Sequence, residues 1–184
     1  MILFRQALSL RCLSEHQQPT APIIMLDLNP QSYDSPEQFI YTLADYYFAY
    51  LETHGDAAAD RLTDEQHTLM AYVYLDSQVQ EGGFVQLIAS GYGEYVLLNP
   101  LADSLRRWKI KPTPKILDQA KALYQKYGEK IEHLSSEGAE LDSLRTQFPE
   151  FEELDADYYD CAEADMAAAA EYIAHHATKF SISP

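Results

Sequence analysis

Ser35-Pro36-Glu37-Gln38-Phe39-Ile40-Tyr41-Thr42-Leu43-Ala44-Asp45-Tyr46-Tyr47-Phe48-Ala49-Tyr50-Leu51 is the stretch that decides the fold class of this chain. A serine suited to an N-cap, a proline at the first helical position and a glutamine at the capping-box position precede Phe39, Leu43, Tyr47, Tyr50 and Leu51 at helical spacing. The spacing predicts a helix over residues 36–53. Thr63-Asp64-Glu65-Gln66 repeats the start signal, and Leu69, Tyr72, Val73 and Val79 carry the helical period to the Gly82-Gly83 pair, which should end that helix and turn Phe84 into the core. Asn99-Pro100 and Thr113-Pro114 read as two further cap-plus-proline starts. The second opens a helix with Ile116, Leu117, Ala120, Leu123, Tyr124 and Tyr127 inward and Lys115, Lys121 and Lys126 outward. A last long helix is predicted over about 157–178, with Tyr158, Ala162, Met166, Ala169, Ile173 and Ala177 as the inward stripe and Asp160, Glu163 and Glu171 outward. His175 and His176 fall where that helix should end, which suits the dipole. Tyr92 to Leu98 is the one plausible strand. The class that follows is all-α: a single-domain multi-helix bundle with short loops, no repeat of fixed period and no long heptad seam.

Outward from this core the chain divides at residue 34. Residues 1–34 form an N-terminal amphipathic segment and connector, and residues 35–184 an acidic helical domain. Leu3, Ala7, Leu10 and Leu13 lie on one stripe, read as core packing with docking or dimerisation as the other use. Arg5 and Arg11 interrupt the apolar run and no small-residue cleavage site follows, so it reads as neither a signal peptide nor a membrane span. Residues 14–34 hold three prolines among polar residues, as a connector does. With 184 residues, 47% hydrophobic and 12% aromatic, the chain has enough apolar surface for one compact core. Cys12 and Cys161 make neither a disulfide framework nor a metal pair, and a cytoplasmic location is expected.

Formal charge is −16, and it is regional. Residues 27–94 carry 12 acids and one base, Arg61; residues 131–178 carry 13 acids and one base, Arg145; residues 95–130 hold eight bases against three acids. Such a surface repels nucleic acid and anionic lipid and attracts cationic partners. The basic patch Arg106-Arg107-Trp108-Lys109-Ile110-Lys111 is read as an internal counterweight that pairs with the acidic blocks.

Templates for chemistry fail on spacing or residue type, so no enzyme is expected. Ala89-Ser90-Gly91 lacks the earlier glycine of a nucleophile elbow, and Gly91-Tyr92-Gly93 lacks the third glycine of a phosphate loop. Asp155 to Asp160 begins like a calcium loop but places Asp160 where glycine is required and Met166 where glutamate is required. The six histidines form no metal-ligand pair, so no metal or cofactor is expected.

The carboxylates are better suited to contact than to catalysis. Helical residues four and seven apart lie about 6 and 10.5 Å apart along the axis, spacings that phosphate-reading Arg and Lys can bridge. Asp45 and Glu52 are seven apart; Asp56, Asp60 and Asp64 step by four; Glu153, Asp157, Asp160 and Glu171 lie near one face, with Glu163 beside them. These are the candidate partner-binding residues.

Asp76-Ser77-Gln78-Val79-Gln80-Glu81-Gly82-Gly83-Phe84-Val85-Gln86-Leu87 resembles the G-G-F-x-Q signature of a bacterial family of small, acidic, all-helical DNA-mimic proteins. With the Tyr46-Tyr47-Phe48 helix and the acidic tail, the resemblance spans about residues 36–178. Gly82, Gly83, Phe84 and Gln86 are taken as structural motif residues. The resemblance implies a homodimer that binds the DNA-binding face of a helix-turn-helix transcription factor and keeps it from its operator, with no direct nucleic-acid or membrane contact. The rival reading from charge is an immunity-type inhibitor masking a basic toxin or nuclease.

Overall fold

Nine successive residues, 68–76, are buried together, so the helix that carries them is enclosed on every side and organises the rest. In the computed structural model, which describes residues 27–182, a 3-10 turn at Pro30–Ser32 leads into α1, Pro36–His54. A 3-10 segment, Asp56–Arg61, then turns the chain into the central helix α2, Asp64–Ala89. A π-helical turn, Glu94–Leu98, precedes α3, Leu101–Arg107, and α4, Pro112–Ser136. After α5, Leu141–Gln147, a 3-10 turn at Pro149–Phe151 opens α6, Glu152–His175, and α7, Ala177–Phe180, follows. The architecture among the described residues is all-α, with α1, α4 and α6 packed around α2. The amphipathic stripe of residues 3–13 lies outside the described residues.

The two strongest start signals form as written. Ser35 Oγ accepts from the Gln38 N–H at 3.0 Å. Thr63 makes a full capping box, its Oγ1 accepting from Gln66 N–H at 3.2 Å while its own N–H donates to Gln66 Oε1 at 2.8 Å. The other two starts differ. Asn99 does not cap α3; its amide donates to Tyr95 O at 2.7 Å and closes the preceding turn. Thr113 lies inside α4, which begins at Pro112, and its N–H and hydroxyl both donate to Asp165 Oδ2, at 3.1 and 2.7 Å. A carboxylate from α6 thus satisfies a first-turn donor that the sequence assigned to a local cap.

Tyr92 to Leu98 is not a strand. Tyr95, Val96 and Leu97 are buried in succession and Val96 N–H donates to Tyr92 O at 2.9 Å, a helical pattern. A short apolar run has no period that separates a strand from a buried helical turn, and no strand stands beside it among the described residues to accept it. The last helix begins five residues before the expected 157 and ends at His175, where His175 and His176 Nδ1 contact the carbonyls of Glu171 and Tyr172 at 2.7 and 2.8 Å.

The chain after α6 is fastened to the beginning of the domain. Tyr47 Oη donates to Phe180 O at 2.5 Å, Thr63 Oγ1 to Lys179 O at 2.7 Å and Gln66 Nε2 to Ser181 O at 3.2 Å. Phe180 is fully buried, edge-on to Trp108 with ring centres 5.7 Å apart, and Trp108 stacks on Tyr172 at 5.2 Å.

Gly82-Gly83 breaks α2 without ending it, since helical backbone resumes and runs to Ala89. Gly83 sits at φ 78°, where a Cβ would lie 2.6 Å from Asp155 Cγ. Gly138, at φ 88°, has open space around it. Gly138→Ala therefore meets only the left-handed backbone cost of about 1 kcal/mol, whereas Gly83→Ala adds a collision with a buried carboxylate and should cost at least about 3 kcal/mol. Urea denaturation of both variants checks this; equal losses would contradict the close approach.

Candidate functional site

α6 follows a stretch with no cation of its own: residues 146–178 contain no Lys or Arg. Glu153, Asp157, Asp160 and Glu171 are exposed at steps of four, three and eleven, one stripe of an α-helix, and Glu163 is exposed beside it. Along the axis Glu153 and Asp157 are about 6 Å apart, and the stripe extends about 27 Å. None of these five carboxylates is ion-paired with a described residue. The helix is held by its opposite face, where Tyr158, Met166, Ala169 and Ile173 are buried.

α1 presents Asp45 and Glu52, both exposed and seven residues apart. Asp60 and Asp64 do not continue one helical row, and the side chain of Asp56 lies outside the described residues. Asp56 and Asp60 belong to the 3-10 segment, and exposed Asp64 is the first residue of α2, so the steps of four cross a change of helix type and axis. The 3-10 form advances about 2.0 Å per residue at three residues per turn, which rotates i and i+4 off a common face.

Three acids that contribute to the sequence charge are withdrawn from the surface. Asp76 is 3% exposed and accepts from Tyr41 Oη at 2.6 Å and Tyr158 Oη at 2.8 Å. Asp165 is bound by Thr113. Asp155, 3% exposed, accepts the Phe84 N–H at 2.7 Å on the far side of the glycine break. Burial pushes the Asp155 carboxyl up to about 6, against the pull of the Phe84 N–H and Arg145. The glycine pair was the available signal for Asp155: a break inside a buried helix leaves amide N–H groups that need an acceptor from elsewhere.

The motif residues belong to this break. A Cβ on Gly82 would lie 2.8 Å from Leu141 Cδ2 of α5, Phe84 is fully buried edge-on to Tyr158, and Gln86 Nε2 donates to Ser90 Oγ at 3.0 Å. Gly82, Gly83 and Phe84 are buried in the core, and Gln86 lies half-buried beside them.

The basic patch acts partly within its own segment and partly on the first acidic block, where Arg107 lies near enough to Glu65 to favour its carboxylate. Arg106 binds Asp103 at 2.6 Å and also Asp118, both within its own segment, while Trp108 and Ile110 are buried. One cross-block pair exists, Lys179 with Glu65 at 2.5 Å. Partial burial pushes the Glu65 carboxyl up, and Lys179, its own backbone and Arg107 together hold it below its usual value. Among the described residues no three His, Cys, Asp or Glu side chains converge to hold a metal, and no helix is long and apolar enough to cross a membrane.

Among the described residues the scaffold is all-helical and displays, along one ordered helix, carboxylates that pair with no described residue, which places it among acidic helical proteins with an exposed charged face. The chain belongs to the DMP19-like protein family, whose model matches residues 60–176. A relative, the DNA mimic protein DMP19 of Neisseria meningitidis serogroup B (strain ATCC BAA-335 / MC58), is 59% identical over 138 residues, 75% of this chain and 84% of that protein.

Because Asp155 titrates higher when folded than its ordinary 3.8, the native state binds more protons than the unfolded state between about pH 4 and 6. Its contribution to stability therefore falls as pH rises through that window, by about 1–2 kcal/mol after allowance for solvent screening. Asp155→Asn keeps an oxygen for the Phe84 N–H and removes the charge. It should flatten this part of the stability–pH curve in chemical denaturation, whereas Asp155→Ala should lose about 2–4 kcal/mol at every pH by leaving a buried amide unsatisfied. An unchanged slope in Asp155→Asn would refute the assignment.

Proposed function

We propose that this chain is a DNA-mimic regulator: its exposed Asp and Glu side chains stand in for phosphates and occupy the DNA-binding face of a helix-turn-helix transcription factor, preventing operator binding. The observation that carries the reading is the unpaired stripe Glu153, Asp157, Asp160 and Glu171 on α6. Duplex DNA presents a phosphate about every 3.4 Å along each strand, and the α6 carboxylates, about 6, 4.5 and 16.5 Å apart along the axis, match every one to two phosphates with one longer gap, within reach of lysines and arginines placed to read that array. Family membership and the DNA-mimic relative support the same reading. Asp45, Glu52, Asp60 and Asp64 supply a second acidic area, with Glu163 flanking the α6 stripe. In this reading the protein acts in the cytoplasm as a homodimer, since two-fold symmetry doubles the acidic face for a dimeric partner whose recognition elements stand about 34 Å apart.

The test begins with capture of partners from a native lysate at low and high salt, followed by competition against the captured factor's operator duplex. Affinity should fall steeply with salt, because the screening length is about 8 Å at physiological ionic strength and shortens above it. Neutralising Asp157, Asp160 and Glu163 to Asn, Asn and Gln should weaken the complex by about 1–3 kcal/mol while leaving thermal stability equal or slightly higher. Asp45, Glu52 and Asp60 form the parallel triple for the other area. Full competition with DNA after both triples are neutralised would sink the proposal, and a captured toxin or nuclease with no operator would replace it with the immunity-type role.

The protein alone should leave random duplex DNA unshifted in a gel at physiological salt, since its −16 charge opposes the phosphate backbone. A stable complex at micromolar protein would overturn mimicry.

A further inference from the structure

A cavity of about 460 Å³ opens where the start of α1 meets α2 and α6. That is the size of a ligand pocket, and its chemistry is unusual for one. Ala162, Met166 and Ala167 of α6 give it an apolar wall, while Glu37 of α1 and Glu163 of α6 bring two exposed carboxylates to its lining. Asp76 adds a third negative group at its inner side, but both oxygens are already taken by Tyr41 and Tyr158. Ser35 is likewise committed, to the Gln38 N–H. Glu37 and Glu163 carry no hydrogen bond or ion pair with another described residue, so they are the carboxylates left to meet a cationic occupant.

We propose that this cavity is the anchor for an arginine side chain of the basic partner protein, the stem lying on Ala162, Met166 and Ala167 and the guanidinium reaching Glu37 and Glu163. The inference rests on the partner reading above and locates where the complex gains its specificity. Arginine fits better than lysine: its planar fork matches carboxylates, its ion is more weakly hydrated and its stem packs on apolar surface. A row of surface charges mainly steers and accelerates encounter, whereas binding energy concentrates in buried anchors, among which arginine is enriched. A protein that copies only charge would bind any basic surface; a protein with this pocket selects a partner with one arginine in the matching place.

The probe is N-acetyl-arginine-methylamide, titrated into the full chain and followed by amide nitrogen–proton NMR, with the lysine and citrulline analogues as controls. Saturable shifts should centre on Gln80, Ala162 and Ala167, be at least fivefold weaker for the lysine analogue and be absent for neutral citrulline. Ala167→Phe fills the cavity without changing charge, and exposed Glu37→Gln removes one carboxylate; each should weaken the arginine probe several-fold. Should Ala167→Phe fail to fold by circular dichroism, Glu37→Gln decides alone. Shifts spread evenly along α1 and α6, equal for arginine and lysine and insensitive to these variants, would overturn the anchor in favour of diffuse ion association. A partner that still competes with DNA and binds Ala167→Phe undiminished would remove the anchor and leave mimicry standing. Saturable arginine binding in the cavity without any DNA-competed partner would do the reverse.

Discussion

One carboxylate sets the geometry of the whole bundle. Asp155, at the beginning of α6, enters the break in α2 and accepts the Phe84 N–H at 2.7 Å. With a side chain at Gly83 it could not approach, and without the acceptor the second half of α2 would keep an unsatisfied buried amide. The contact thus fixes the direction in which α2 resumes, the depth of Phe84 and the position from which α6 sets out. Leu141 of α5 closes on the same break at Gly82. The outward acids of α6 inherit their orientation from this junction, so the exposed acidic stripe depends on a buried interaction.

Charge is divided between two uses that the composition does not distinguish. Asp76, Asp155 and Asp165 are buried and hydrogen-bonded to tyrosine hydroxyls, a backbone amide and a threonine, where they join α1, α2, α4 and α6. Buried polar groups with all partners present rigidify a helical core that apolar packing alone would allow to slide. Exposed acids repel one another at modest cost because water screens them. Tyrosines serve the buried population: Tyr41 and Tyr158 both place their hydroxyls on Asp76, while exposed Tyr159 donates to the Val79 carbonyl.

Helices written in local signals were legible in the sequence. Ser35 and Thr63 cap as expected because their acceptors and donors lie within four residues, and the inward stripes of α1, α4 and α6 follow from period alone. Features settled by distant residues were not. Thr113 is claimed by Asp165 across 52 residues, and Phe84 by Asp155 across 71, and neither pairing leaves a mark in spacing. Tyr92 to Leu98 misled because burial on all sides erases alternation and period together. The exposure of the α6 acids on one uninterrupted helix was readable from period; the 3-10 segment that precedes Asp64 was not, and it changes the residue angle between Asp60 and Asp64. Glu37 was passed over as a first-turn acid of α1, and only the packing of α1 beside α6 brings it to a cavity with Glu163.

The fastening of residues 179–181 onto Tyr47, Thr63 and Gln66 also bears on how the protein is made. During synthesis α1 and α2 emerge first, yet the groups that engage the Tyr47 hydroxyl and fill the space beside Trp108 are translated more than a hundred residues later. Until then the nascent chain carries an incomplete core with aromatic surface open to solvent, the condition under which chaperones bind and proteases cut. Closure of residues 179–181 onto α1 and α2 is consequently a late step of synthesis: a ribosome that stalls in α6 yields a product with much of the acidic sequence already written and the contacts to Tyr47, Thr63 and Gln66 still unmade.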